Sequence, residues 1–269
     1  MTGRVAGKSA AVIGAGSIGP GWGNGKAAAV LYAREGAQVL CVDRDRAAAE
    51  ETAAIIWAEG GTAEVFVGDL TDPAAAAAMA EAAQSKFGGL DIVHFNIGTS
   101  KKGGVAETSS EDWRQVFAVN LDAAFHVTKS CLPLLQTRGG AFVYISSLAG
   151  LMGGPYSYVG YEASKAALCR FARSVALEGA PFGVRANTVV PGMIDTPHVT
   201  ALIAGEMDID ALRTARAAQV PLGRQGTAWD IAEAALFLAS DAAAFITGTE
   251  LIVDGGMSGR FAAVPQTIA

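Results

Sequence analysis

Cysteine, histidine and charge are all scarce in this chain. The three cysteines, Cys41, Cys131 and Cys169, are odd in number and show no CxxC spacing. That excludes a disulfide framework and a clustered zinc site, and fits reduced thiols in a cytoplasmic protein. The three histidines, His94, His126 and His198, are dispersed with no histidine or cysteine four positions away, so no metal is expected. Charged residues make up only 17% of the chain, the net charge is −6, and no basic block occurs. This composition argues against nucleic acid or an anionic membrane as a partner. No apolar run is long enough to span a bilayer. Lys8 and the glycines interrupt the apolar stretch that a secretory signal would need.

What the chain does have is apolar residues, 51% of 269, and 33 glycines. That is enough to bury a substantial core. Strand-like runs at Ser9–Ile13, Gln38–Val42, Ala63–Val67, Asp91–Phe95, Ala141–Ile145, Arg185–Val190 and Glu250–Val253 alternate with helical ones. The helical runs are Asn24–Glu35, Arg46–Glu59, Pro73–Phe87, Ser110–Leu135, Glu162–Gly179 and Ala228–Ala239. Strands that are apolar throughout belong in a parallel sheet covered on both faces. The βαβ rhythm therefore predicts an α/β fold, a doubly wound parallel sheet of about seven strands with helices on both faces and no linker or repeat. Residues 196–219 break the rhythm on the side where such sheets bind ligands, and read as a substrate lid.

The first strand runs into Gly14-Ala-Gly-Ser-Ile-Gly-Pro-Gly-Trp-Gly-Asn-Gly25 and then a helix. Glycines there permit a tight turn and let backbone N–H groups reach a pyrophosphate at the helix N-terminus. Gly14, Ser17 and Asn24 are the expected contacts; the plainer reading is a flexible hairpin loop. The second strand ends at Asp43-Arg44. An acid here accepts hydrogen bonds from both adenosine ribose hydroxyls and repels a 2′-phosphate, which favours NAD(H) over NADP(H). Arg44 could instead accommodate that phosphate, point to solvent or stack on adenine. Asp43 could otherwise cap the next helix. Asp69-Leu70 after the third strand could hold the adenine ring or cap in the same way.

Tyr161-Glu-Ala-Ser-Lys165 places a phenol and an ammonium on one helix face. An adjacent ammonium is expected to lower the tyrosine's pKa and make it a proton donor and acceptor near neutral pH. Ser146 and Ser147 lie a short way upstream. Tyr156 and Tyr158 lack a lysine four residues on and read as pocket residues. His94 reads as a packed core side chain and Lys101-Lys102 as a solvated pair. Ser147 is not in a GxSxG elbow, which argues against a hydrolase.

Taken together, these residues resemble the classical short-chain dehydrogenase/reductase family over nearly the whole chain, to Asp254-Gly-Gly. The resemblance implies single-domain Rossmann-type enzymes using NAD(H) or NADP(H), often homotetramers. By position it makes Asn120, Ser147, Tyr161 and Lys165 the catalytic tetrad. It assigns Asn96, Ile97 and Gly98, and Pro191, Gly192, Ile194 and Thr196, to the cofactor. The sequence departs from the family pattern at Ile13, at Phe95, and in extra residues from Ile18 to Trp22. Pro20 and Trp22 are expected to stiffen that extra turn or cover part of the cofactor. The implied reaction interconverts a secondary alcohol and a ketone. Tyr161 is the acid/base, Lys165 tunes it and bonds the nicotinamide ribose, and Ser147 steadies the substrate oxygen. Asn120 holds a water, or else satisfies backbone groups at a helix irregularity. Ser147 could also be a strand-end turn residue. Leu148, Gly153, Gly154, Tyr156, Tyr158 and Met193 would line a pocket for a bulky hydrophobic or cyclic substrate. Reduction of a 3-oxoacyl thioester, cis-dihydrodiol oxidation and a non-catalytic NAD-binding regulator are the alternatives. The tail 260–269 could reach a neighbouring subunit.

Overall fold

Successive residues of the first strand, β1 (Ser9–Ile13), point to opposite sides of the molecule. Ala10 and Val12 pack into one apolar cluster, Ala11 and Ile13 into another. That alternation is the strand pleat, and burial on both sides is why β1 has no polar face. The computed structural model describes residues 3–154, 157–199 and 208–260. Helices α1 (Asn24–Arg34) and α2 (Arg46–Ala58) flank β2 (Gln38–Asp43), and α3 (Pro73–Phe87) follows β3 (Thr62–Val67). Then come β4 (Ile92–Phe95), α4 (Ser110–Phe117), α5 (Ala123–Gln136), β5 (Gly140–Ile145), α6 (Val159–Gly179) and β6 (Val184–Pro191). Short strands β7 (Ile194–Asp195) and β8 (Gly226–Thr227) pair with each other around α7 (Ile209–Ala217). Helix α8 (Ala228–Ala239) and strand β9 (Glu250–Val253) close the described chain.

The main sheet has seven parallel strands in the order β3-β2-β1-β4-β5-β6-β9. Residues from α1, α2 and α8 cover one face, and residues from α3, α5 and α6 the other. This is the expected single-domain Rossmann-type fold. Each fully buried Val, Leu or Ile in these layers contributes roughly 1.5–3 kcal/mol. The order reverses between β1 and β4, which opens a crevice at their carboxyl ends. Register puts Ile13 beside both Val42 and Phe95, so the loops after β1, β2 and β4 emerge at one level.

The structure corrects the sequence reading in three places. The single helix expected over Ser110–Leu135 is broken by a π-turn at Ala118–Asp122. Helix α6 starts at Val159, three residues earlier than expected from Glu162, so Tyr161 sits inside its first turn. The stretch 196–219 contains α7, and its residues 200–207, like Tyr156 and 261–269, lie outside the described residues.

His94 is a core residue, fully buried, with Nδ1 3.1 Å from the Tyr32 hydroxyl and Nε2 without a partner. Burial lowers its pKa from 6.5 to about 3. The folded-state value is depressed, so between these pH values the unfolded chain binds a proton that the folded chain refuses. Stability is therefore lost as pH falls through that window. His94→Asn keeps a partner for Tyr32 and removes the titration. Between pH 7 and 4.5 the wild type is expected to lose about 2–3 kcal/mol more than the variant. Urea midpoints at the two pH values check this; equal losses would dismiss His94 as the cause.

Candidate active site

The crevice begins with the glycine loop. Gly14 takes φ 79°, and the amides of Gly14 and Ala15 both donate to the Val42 carbonyl, at 2.8 and 3.0 Å. The loop is thereby hooked onto β2. The Gly16 amide donates to Asp43 Oδ2 at 2.9 Å, and a methyl on Gly16 would meet that same oxygen at 2.9 Å. Asp43 is thus held at the strand tip against the loop and does not cap α2, which Asp45 does. Likewise Asp72 caps α3, while Asp69 accepts from the Thr71 amide and hydroxyl. Those bonds, with Arg44 nearby, lower the Asp69 pKa. Leu70 is buried and Arg44 is exposed.

Ser17 Oγ and Asn24 Oδ1 are buried and have no hydrogen-bond partner. Gly23 stands at the N-cap of α1 with no side-chain cap, so the first-turn amides are left for another acceptor. The orphaned Ser17 hydroxyl, a donor, beside an uncapped helix N-terminus fits a phosphate-bearing ligand. The five extra residues do not lengthen the cradle itself. A methyl on Gly23 would lie 3.3 Å from the Gly16 carbonyl oxygen, so Ile18–Trp22 leaves and returns at nearly one point. Across the crevice Asn96 Nδ2 donates to the Gly14 carbonyl at 3.4 Å. Gly192 packs against Asp254, and Thr196 and Ile194 are buried beyond β6.

The second half of the site is built where α6 crosses the ends of β4 and β5. Lys165 is buried and its Nζ donates to the Ile145 carbonyl at 3.0 Å. The ammonium lies 5.8 Å from the Tyr161 ring centroid. A methyl on Gly98 would come within 3.1 Å of Lys165 Nζ and 3.5 Å of Asn120 Oδ1. Asn120, on the π-turn, accepts from the Thr99 amide (2.7 Å) and donates to the Thr99 carbonyl and Ser164 Oγ (both 2.9 Å). Its hydrogen bonds are those of a residue satisfying backbone at a helix irregularity. They also lock the loop after β4 to α6. The Ser147 hydroxyl lies near enough to the Tyr161 phenol to lower its pKa, and accepts from the Ala149 amide.

Electrostatics here differ from the sequence expectation. Burial raises the Tyr161 pKa, and the Ser147 hydroxyl lowers it in opposition; Lys165 is not among the causes. Lys165 itself is lowered to about 8 by burial. The ammonium donates to a backbone carbonyl and stands 5.8 Å from the ring centroid.

Of the substrate-wall residues, Leu148 is buried, Tyr158 and Met193 are half-buried, and Gly153 and Gly154 are exposed and border open space. Lys101 is not free but pairs with Asp112 at 3.6 Å. Two supports escaped sequence reasoning. Ser146 Oγ donates to the Lys165 carbonyl at 2.9 Å, and Gly150 packs on the α6 backbone, where a methyl would meet the Ala166 nitrogen at 2.7 Å. The only sequence signal for either was the serine pair. No cluster of metal-ligand type occurs among the described residues, and no helix among them is long and apolar enough to cross a membrane.

A family model described as enoyl-(acyl carrier protein) reductase matches residues 19–258. The chain is 41% identical over 227 residues (84% of it, 96% of the relative) to an inactive 2-(S)-hydroxypropyl-CoM dehydrogenase 2 of Xanthobacter autotrophicus. It is 39% identical over 261 residues (96% and 99%) to a 2,5-dichloro-2,5-cyclohexadiene-1,4-diol dehydrogenase of Sphingobium indicum. A Burkholderia xenovorans crystal structure, described as a short-chain dehydrogenase/reductase, superposes with TM-score 0.93 at 43% identity, covering 96% of this chain and 99% of that one. An Agrobacterium tumefaciens structure with bound NADP, described as a 2-deoxy-d-gluconate 3-dehydrogenase, gives 0.83 at 36%, covering 95% and 98%.

Proposed function

Since the chain belongs to the short-chain dehydrogenase/reductase family, we propose that it interconverts a secondary alcohol and a ketone with NAD(H), using Tyr161 as the acid/base. The observation that carries this is the buried Lys165 ammonium, held by a neutral carbonyl between Gly98, Asn120 and the Tyr161 ring. A bound nicotinamide dinucleotide supplies the hydride acceptor or donor. Tyr161 takes the proton of the substrate hydroxyl in oxidation and returns it in reduction. Ser147, beside that phenol, donates to the substrate oxygen. Lys165, with no carboxylate partner among the described residues, keeps a hydroxyl-binding cation beside the crevice. Gly14, Ser17, Asn24, Asp43, Asn96, Ile97, Gly98, Pro191, Gly192, Ile194 and Thr196 hold the dinucleotide.

A bulky or cyclic alcohol is the substrate class, supported by the cyclic diol named for the 39%-identical relative and by the open space at Gly153. Residues 196–219 would close over it. Exposed Phe125, Leu177 and Phe182 support assembly into a homotetramer. Screening NADH formation over cyclic, aromatic and aliphatic secondary alcohols tests the reading. Turnover confined to short polar alcohols would sink the substrate class. NADH binding without turnover of any alcohol would favour the non-catalytic regulator, a reading that the inactive relative keeps in view.

Asp43 decides the cofactor in this reading, with its carboxylate fixed at the strand tip by Gly16 and Asp45 amides. The NADP-bound neighbour makes the other choice a live one. Asp43→Ser is expected to shift kcat/KM toward NADP by about 100-fold relative to NAD, the scale of removing one close like-charge contact. Initial rates with both cofactors check it, and an unchanged ratio removes Asp43 from that role.

A further inference from the structure

The excursion Ile18–Trp22 is anchored far more firmly than a five-residue loop between glycines requires. The Trp22 ring lies 4.7 Å from Trp229 of α8, centroid to centroid. Lys26 Nζ stands 5.2 Å from the Trp22 ring, and Arg34 stands 5.0 Å from that of Trp229. Lys26 is itself buried and paired with Glu51 Oε1 at 2.6 Å. Two indoles, tilted 54° to each other and flanked by two cations, form one cluster joining the loop to α1, α2 and α8. The pinned end is Trp22; Ile18, at the other end, is 64% exposed.

Between those ends the excursion meets the far wall of the crevice. A methyl on Gly21 would lie 3.4 Å from Pro197 Cγ, and one on Gly19 3.8 Å from Pro197 Cβ. Pro197 directly follows Thr196 and opens the segment that leads to α7. The excursion therefore runs from the phosphate side of the crevice to its substrate side. Its two roots carry the orphaned buried atoms Ser17 Oγ and Asn24 Oδ1. A ligand that accepts from the Ser17 hydroxyl and the first-turn amides would lie beside both roots.

We propose that Ile18–Trp22 is a strap across the cofactor crevice, pinned by Trp22 and seated on Pro197, that sets the rate at which the dinucleotide exchanges. Trp22 is then a positioning residue, acting through the loop it holds. This rests on the dinucleotide reading above. The test follows NADH fluorescence in a stopped-flow chase with excess NAD, on the wild type and on Trp22→Ala, Trp22→Phe and Pro197→Ala. Trp22→Ala and Pro197→Ala are expected to release NADH about tenfold faster or more, with smaller changes in association, because loss of bound-state contacts is felt in dissociation. Trp22→Phe, which keeps an aromatic face for Lys26 and Trp229, is expected to stay within about threefold. Pro197→Ala lies outside the indole pair, so it decides the question if Trp22→Ala does not fold. Wild-type release rates in both alanine variants would overturn the strap and leave the dinucleotide reading standing. A wild type that binds no NADH would overturn both.

Discussion

Tyr161→Phe is expected to lower kcat by about 1,000-fold, the middle of the range for losing a positioned acid/base, while NADH affinity stays within about twofold. The split follows from where the hydroxyl sits. It lies beside Ser147, whose hydroxyl lowers its pKa. The ring remains for the Lys165 ammonium to lie over, so packing around Lys165 is preserved. Burial raises the phenol's pKa, so the form that accepts a proton gains population only as pH rises. Alcohol oxidation by the wild type should therefore accelerate from neutral to alkaline pH, while ketone reduction, which uses the phenol form that dominates throughout that range, stays level. The oxidation slope should vanish in the residual activity of the phenylalanine variant. Steady-state rates in both directions, with a fluorescence titration of NADH, check the pair of expectations. A variant retaining rates within tenfold of wild type would remove Tyr161 from the acid/base role.

The sheet was legible because its central strands are apolar on both faces and stand out as continuous runs, as at Ala10–Ile13 and Val39–Val42. The site was legible in its spacing but not in its electrostatics. A four-residue interval puts Lys165 and Tyr161 on one face of α6, yet it cannot say that Ile145 would claim the ammonium. That contact joins residues twenty positions apart, and only the crossing of α6 over β5 creates it. The π-turn at Asn120 was hidden for a similar reason. Val116 to Val127 reads as ordinary helix, and the extra residue in the turn is stabilised by Thr99 and Ser164, from outside the helix. Asp43 and Asp69 could each be read as helix caps until the structure showed Asp45 and Asp72 filling those positions two and three residues later. The extra residues after Ser17 were visible as an interruption. Their closure at Gly16 and Gly23 and their anchor on Trp229 were not, because the partner lies over two hundred residues away in sequence.

Gly25→Ala is the substitution expected to damage the cofactor half of the site most. A methyl there would be driven into the Gly14 carbonyl oxygen and would also come within 2.8 Å of Asn96 Nδ2. The first obstacle is backbone at the end of a central strand. It cannot rotate away as a side-chain tip would, so α1 must separate from β1. Overpacking of this kind costs about 3 kcal/mol or more when no flexible atom can yield. Separation also pulls the first-turn amides of α1 and the Asn24 side chain away from Ser17. Those are the groups that a phosphate needs at hydrogen-bond distance. NADH affinity is expected to fall by more than about 100-fold, equivalent to losing roughly two good hydrogen bonds to a charged group. Gly259→Ala, where an added methyl meets nothing within 4 Å, serves as the control and should leave both quantities unchanged. Thermal unfolding and NADH titration of the two variants separate the effects. A Gly25→Ala protein that unfolds early but binds NADH normally would mean that α1 shifts without carrying the cradle, and that the dinucleotide's phosphates are held elsewhere.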